Sequence, residues 1–213
     1  MSTKAKREKF QFWTNWTLLS LGIIPLSYII SLIAVLLVQR AFGFGQMDWG
    51  TPLSNTLSQI AGGALIGLGT GIYQKSLLRK MFNVSSSWIY TLVIGFAFAE
   101  LIIGLILWQL DLDREKLRFI EFKPLPEALF FACAGLIIGL LQWPILGKHF
   151  SGSIYWIIAS TTGWGICILM TYFAGFVLKM GLSIFAFFLG ALLYGACTGA
   201  TLIWILHKKE EKS

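Results

Sequence analysis

Gly135–Lys148 reads GLIIGLLQWPILGK, an apolar segment in which Gly135 and Gly139 stand four residues apart and a lysine comes last. The same arrangement occurs earlier in Gly67–Lys80 and later in Gly195–Lys208. In all three segments a Leu follows the second glycine by seven residues and a Lys follows it by nine. Glycines at this spacing lie one turn apart on a helix and let a neighbouring helix approach closely. The segment therefore predicts a tightly packed apolar helix that is used three times.

The first two segments belong to a longer internal repeat. Aligned without gaps, Ala64–Phe98 and Ala132–Ile166 are identical at 12 of 35 positions. The matched residues include a Gln in each glycine helix and a Trp that opens the next helix, namely Gln74 with Gln142 and Trp88 with Trp156. Each copy is interpreted as a helical hairpin with a short basic turn. Repeats that share one orientation are related by an axis along the membrane normal.

The composition is that of a membrane protein. Of 213 residues, 56% are hydrophobic and 13% charged, whereas soluble domains carry about 25% charged residues. A helix that crosses the hydrocarbon core needs about 20 mostly apolar residues. Six runs qualify: Trp16–Val38, Thr56–Tyr73, Trp88–Leu110, Ala128–Leu146, Ile154–Leu178 and Ile184–Leu206. We expect an all-α integral membrane protein with six transmembrane helices in one domain, residues 1–213, with a basic tail at 1–12 and a charged tail at 207–213.

The third glycine segment suggests how the bundle closes. Helix six contains Gly195 and Gly199. Trp13 and Trp16 lie near the start of helix one, just as a Trp lies at the start of the second helix of each hairpin. We therefore expect helices six and one to pack together and complete a pseudo-threefold bundle. The glycine pairs are interpreted as packing within the chain, with a homodimer face as the alternative.

Lys and Arg near the helix ends predict the orientation, because cytoplasmic loops carry an excess of them. Eleven of the 17 lie on one side. They are Lys4, Lys6, Arg7, Lys9, Lys75, Arg79, Lys80, Lys148, Lys208, Lys209 and Lys212. Both termini are therefore expected in the cytoplasm, in a bacterial-type cytoplasmic or thylakoid membrane. The loop Asp111–Glu127 would lie outside, as a solvated connection or as a docking surface or lid.

The aromatic residues and the cysteines are interpreted as structural rather than functional. Eight Trp and Tyr residues near the run ends are expected to form an interfacial belt. They are Trp13, Trp16, Trp88, Tyr90, Trp108, Trp143, Tyr155 and Trp156. The three cysteines lie in apolar runs and are expected to be small buried hydrophobes.

The segment Gly135–Leu146, of the form Gly-Leu-x-x-Gly-Leu-x-Gln-Trp-x-x-Leu, is followed by Trp156 and Trp164. This pattern resembles uncharacterised multipass membrane proteins, common in cyanobacteria, with tandem Gly-x-x-x-Gly-x-x-Gln-Trp hairpin repeats. The resemblance covers roughly residues 60–170. The first copy departs from it, since Lys75 stands where Trp143 would match. The resemblance implies architecture and no activity.

Glu100 is the most informative single residue. It stands inside the third apolar run, where a carboxylate costs at least about 2.5 kcal/mol to insert. Two interpretations remain open: a proton, cation or substrate site in a central cavity, or a neutral Glu hydrogen-bonded to a neighbour. Gln74 and Gln142 are further candidates for an intramembrane polar site, either as ligands of a polar headgroup or as helix caps.

Enzymatic and metal-binding patterns are absent from the sequence, and no cofactor is expected. The basic residues are explained by topology, so nucleic acid is not expected as a partner, whereas membrane lipids are. We expect a non-catalytic scaffold or accessory subunit of a membrane complex, with a protein partner or a second copy as its companion. The alternative is a small transporter or ligand-binding unit built around Glu100.

Overall fold

The computed structural model describes residues 3–41, 52–109, 124–177 and 184–210. Within these ranges the chain forms six α-helices and no strand. The helices are α1 Thr3–Ala41, α2 Pro52–Leu78, α3 Ser87–Gln109, α4 Pro124–Gly147, α5 Tyr155–Val177 and α6 Ile184–Glu210. The protein is therefore all-helical over its described residues.

The helices form a closed ring. Each helix contacts the next one in sequence, and α6 contacts α1. Neighbouring helices run antiparallel: on α1 and α2, for example, Ser20 lies beside Tyr73 while Ser31 lies beside Gly62. One end of the ring, which we call the turn end, carries the start of α1, the turns 79–86 and 148–154, and the end of α6. The expected contact between the first and last helices is present.

Close approach of helices explains the glycine pairs. A Cβ on Gly67 would overlap the carbonyl oxygen of Leu92 on α3, and one on Gly135 would overlap that of Ser160 on α5. The same close fit recurs at Gly71 against Ile89, Gly139 against Ile157, Gly195 against Ser20 and Gly199 against Trp16. All three pairs thus lie against a helix of the same chain: α2 on α3, α4 on α5, and α6 on α1.

Five of the described helices are long and apolar enough to cross a membrane, whereas the sequence predicts six spans. They cover Arg7–Arg40, Ser87–Ile106, Leu125–Gly147, Tyr155–Ala174 and Phe185–His207. The exception is α2, which contains several polar side chains, among them Ser58, Gln59, Thr70, Gln74 and Lys75. Ser58, Thr70 and Gln74 are buried, so these three polar side chains of α2 lie inside the bundle.

Three helices begin at least four residues earlier than the apolar runs predict: α1, α2, which starts at Pro52 rather than Thr56, and α4. Helix α1 starts at Thr3, and its first turns include buried Phe12, so most of the expected tail 1–12 is helical. Helix α4 starts at Pro124 rather than Ala128, because a proline in the first turn gives up no helical hydrogen bond. Residues 124–127 of the predicted loop Asp111–Glu127 are therefore helical, while 110–123 lie outside the described residues.

Candidate functional site

Three tryptophans meet inside the ring near its turn end. Trp16 on α1, Trp88 on α3 and Trp156 on α5 are each 0% exposed. The ring centroid of Trp156 lies 6.3 Å from that of Trp16 and 5.9 Å from that of Trp88. The prediction that these three residues belong to an interfacial belt is wrong, because their rings pack on one another in the core. Trp143 and Tyr155 are exposed, and the side chain of Trp108 lies outside the described residues.

Each glutamine singled out in the sequence accepts an indole hydrogen bond. Trp88 Nε1 donates to Gln74 Oε1 at 3.1 Å, and Trp156 Nε1 donates to Gln142 Oε1 at 2.8 Å. Both glutamines are 0% exposed. The structure thus places both in the core, each bonded to the Trp near the start of the next helix.

The α6–α1 pair makes the same contact with different residues. Trp16 Nε1 donates to Thr198 Oγ1 at 3.0 Å. The residue three positions after Gly199 is Leu202, where Gln74 and Gln142 follow Gly71 and Gly139. Thr198 itself donates to the Tyr194 carbonyl oxygen at 2.7 Å, so its hydroxyl can accept from Trp16 at the same time.

Gln74 joins several helices in one hydrogen-bonded network. Its Nε2 donates to Tyr194 OH on α6 at 3.1 Å, and Tyr73 OH lies 3.5 Å from the same nitrogen. Tyr73 OH and Ser20 Oγ on α1 lie 2.8 Å apart. Together with the bond from Trp88, Gln74 therefore ties α2 to α3 and α6, and through Tyr73 to α1.

Five buried polar atoms of the described residues have no hydrogen-bond partner. They are Thr17 Oγ1, Thr70 Oγ1, Gln142 Nε2, Ser160 Oγ and Trp164 Nε1, although the Trp164 side chain retains a weaker polar contact with Tyr194. Buried groups are almost always paired, and each unpaired one costs about 1–3 kcal/mol. Three of the five lie on the α4–α5 hairpin. Gln142 differs in this respect from Gln74, whose Nε2 donates to Tyr194 OH.

Glu100 lies apart from this layer. It is partly buried on α3 facing α2, and a Cβ on Gly63 would lie 3.0 Å from its Cγ. Gly63 precedes Gln74 by eleven residues, which is about 16 Å along a helix. The structure therefore brings Gln74 and Gln142 into one polar and aromatic layer and leaves Glu100 in the α2–α3 groove.

Sequence reasoning missed Tyr73, Tyr194 and Trp16 as members of the layer. The available signal was the separation of 14 residues between each Gln and its Trp, which is the same in both hairpins. The positions that correspond to Tyr194 hold Ile66 and Ala134, so no pattern indicated a tyrosine there.

The layer offers hydrogen bonds rather than acid–base or metal chemistry. Among the described residues no three His, Cys, Asp or Glu side chains are grouped so that they could hold a metal ion.

Cys167 is buried, but Cys133 and Cys197 are exposed, which corrects the expectation that all three are buried. A small apolar side chain is compatible with a lipid-facing surface as well as with a core.

Comparisons of this chain with protein-family models, with curated proteins and with solved structures found no match. The geometry of the bundle therefore has to support any functional assignment.

Proposed function

We propose that this chain is a non-catalytic integral membrane protein that serves as a scaffold or accessory subunit of a membrane complex. Such a subunit acts through its outer surface and its stability, and it needs no path through its centre. The interior of this ring is consistent with that description, since buried tryptophans interlock across it near the turn end.

The observation that carries the proposal is the tryptophan layer. Trp156 packs against both Trp16 and Trp88, and all three indoles are fully buried and hydrogen-bonded. Interlocked rings of this size occupy the axis where a channel or central transport site would run. The same bonds join α1 to α6, α3 to α2 and α5 to α4, which favours a rigid body over alternating access.

The membrane topology belongs to this proposal. The chain would cross the membrane six times, with α2 as the sixth span, its buried polar groups shielded by α1 and α3. Arg7, Lys80 and Lys148 are exposed at the turn end, which supports a cytoplasmic location for that end and for both termini. The repeated hairpins, the pseudo-threefold arrangement, the bacterial-type cytoplasmic or thylakoid membrane and the likeness to the cyanobacterial proteins are proposed with it.

The runner-up is a small transport or ligand-binding unit, and its one supporting observation is Glu100. The carboxyl group is partly buried within an apolar helix, next to a glycine that makes room for it. Because Glu100 lies beside α2 rather than in the tryptophan layer, this alternative would need a path between α2 and α3. The filled axis therefore favours the accessory role.

Native mass spectrometry after gentle extraction from the protein's own membrane tests the proposal. The expected result is a complex that contains a fixed number of copies of a second protein. As a control, an unrelated multipass protein of similar size that carries the same tag should be recovered without that second protein. A lone chain that carries no protein partner, or a homo-oligomer, would contradict the accessory role.

A further inference from the structure

The α2–α3 and α4–α5 hairpins present similar apolar stripes on their outer surfaces. On α2, Leu68 and Ile72 are 41% and 50% exposed, and their counterparts on α4, Leu136 and Leu140, are 41% and 47% exposed. Residues four apart lie one above the other on a helix, so each pair forms a stripe that faces away from the ring. In a membrane these stripes lie against the acyl chains of the lipid.

The stripe on α2 ends in cations. Arg79 follows Ile72 by seven residues, or about two helical turns, so it lies on the same face. Its backbone N–H donates to the Lys75 carbonyl oxygen at 3.0 Å, which continues the helical pattern. Arg79 is exposed and Lys75 is partly exposed. The corresponding positions of α4 hold Gly147 and Trp143, so this pair of cations is particular to the α2–α3 hairpin.

The start of α3 adds polar groups beside the two cations. Lys75 Nζ donates to Ser86 Oγ at 2.8 Å, which joins the end of α2 to the start of α3. One turn later Tyr90 is 63% exposed. The counterparts of Ser86 and Tyr90 in the other hairpin are Ile154 and Ile158, which are 51% and 58% exposed. The outer surface near the turn is therefore cationic and polar in one hairpin and mostly apolar in the other.

This combination suits the headgroup of a phospholipid. Arg and Lys both bind phosphate, Arg through its planar fork and Lys as a point charge. An amphipathic ring such as that of Tyr90 is typical of the level of the headgroups. Further along α3, Ile94 and Phe98 are 58% and 49% exposed, so apolar side chains lie beneath the cations on both helices. A free anion or an acidic protein segment would use the cations alone, whereas a lipid uses the cations and the stripes together.

We infer that the outer face of the α2–α3 hairpin at the turn end binds the phosphate headgroup of an anionic phospholipid. Lys75 and Arg79 bind the phosphate, the Ser86 hydroxyl holds the Lys75 ammonium group beside the turn, and Tyr90 lines the same face. This inference rests on the membrane location and orientation proposed above, but not on the accessory role. A chain that has no protein partner would still bind the lipid, so the two proposals fail separately.

Native mass spectrometry of the full chain in detergent, titrated with lipid, tests the inference. Phosphatidylglycerol and phosphatidylcholine with the same acyl chains differ in the charge of the headgroup. The wild type should bind phosphatidylglycerol more tightly, and Lys75→Gln/Arg79→Gln should lower that affinity about fivefold for each cation removed. Both side chains are at least partly exposed, so an intact fold is expected, and a melting curve recorded without lipid checks it.

Arg7→Gln/Lys148→Gln is the matched control, because it removes two exposed cations of the turn end that lie outside this hairpin. Its affinity for phosphatidylglycerol should change less than about twofold. Equal losses in the two double variants would mean that the lipid responds only to total charge, and the inference would be wrong.

Two other occupants of this face have their own signatures in the same experiment. Displacement of the lipid by excess inorganic phosphate would indicate a site for a free anion. Loss of a co-purified protein from Lys75→Gln/Arg79→Gln, with the lipid affinity unchanged, would indicate an acidic protein segment. Either result would overturn the inference, and so would equal binding of the two lipids by the wild type.

The α4–α5 hairpin allows the site to be transferred. Trp143→Lys/Gly147→Arg/Ile154→Ser gives this hairpin the residues of the other one. Trp143 and Ile154 are 40% and 51% exposed, and a Cβ on Gly147 would lie 3.4 Å from Ser153 Oγ, so the new side chains have room. The variant should retain one more tightly bound phosphatidylglycerol than the wild type. A folded variant that retains no additional lipid would show that these residues do not form the site.

Discussion

Trp156 donates its indole N–H to Gln142 Oε1 over 2.8 Å, across the turn that joins α4 to α5. Fourteen residues separate the two, and the same separation and the same bond recur between Trp88 and Gln74. The bond closes each hairpin at its turn end, at the level where the tryptophans pack against one another. A single pair of residues thus links the local hairpin to the centre of the ring.

The two glutamines are expected to contribute unequally to stability. Gln74→Leu breaks the bonds to Trp88 and Tyr194 and the long contact with Tyr73, whereas Gln142→Leu breaks one bond within the chain. At about 0.6 kcal/mol for each bond lost in a membrane protein, Gln74→Leu should lower the free energy of unfolding by roughly 1 kcal/mol more. Denaturant titration in mixed micelles measures the difference. Equal losses would show that the network around Gln74 adds no stability.

Glycine packing gives a second prediction with an internal control. A Cβ at position 135 would overlap the Ser160 carbonyl oxygen, which belongs to backbone and cannot rotate away. Gly135→Ala should therefore separate α4 from α5 and lower the free energy of unfolding by about 1–3 kcal/mol. Gly22→Ala places a Cβ where nothing lies within 4 Å, so it should be neutral or stabilising by up to about 1 kcal/mol. Similar losses for both variants would contradict the packing account.

The three glycine pairs predicted the close contacts of the helices that carry them, while the hydrogen bonds of the core could not be predicted. Three glycine pairs at one spacing indicated three close helix contacts, including the one that brings α6 to α1. The sequence shows Trp88 and Trp156 at the ends of apolar segments, but a Trp in that position is equally typical of a membrane interface. Burial depends on which way the helix face turns, and that is decided by contacts between distant segments such as Trp16 with Trp156. Tyr194, which breaks the pattern, could be found only in the folded chain.

Membrane sidedness tests whether α2 is a full span. Ser86 and Ser151 are exposed in the two turns, and Arg40 is exposed near the opposite end of α1. After the three native cysteines are replaced by alanine, Ser86→Cys and Ser151→Cys should react with an impermeant maleimide only from the cytoplasmic side. Arg40→Cys should react only from the other side. Labelling of Ser86→Cys and Arg40→Cys from one face would mean that α2 does not cross.

Glu100→Gln separates the accessory role from the transport alternative. The substitution keeps the shape of the side chain beside Gly63 and removes its ability to carry charge. We expect unchanged melting and unchanged co-purification of the protein partner, because the carboxyl group lies outside the tryptophan layer. Proteoliposomes should show no proton or cation flux above empty liposomes for either chain. Flux that the wild type supports and Glu100→Gln abolishes would favour transport.

The α6–α1 pair allows the pseudo-threefold relation to be tested by transferring a residue. Thr198→Val removes the acceptor of the Trp16 indole and should lower the free energy of unfolding by about 0.6–2 kcal/mol. Leu202 stands where the other two pairs place a glutamine, and Leu202→Gln has nearly the same volume. Adding Leu202→Gln to Thr198→Val should give Trp16 the acceptor that Trp88 and Trp156 have, and restore most of the loss.

Denaturant titration of the two single variants and the double variant provides the measurement. Leu202→Gln alone should destabilise, since Trp16 already has its partner and the buried amide gains little. A favourable coupling between the two substitutions is therefore the expected result. If the double variant is as unstable as the sum of the single variants, residue 202 does not face Trp16 as Gln74 faces Trp88, and the proposed symmetry of the three pairs fails at that point.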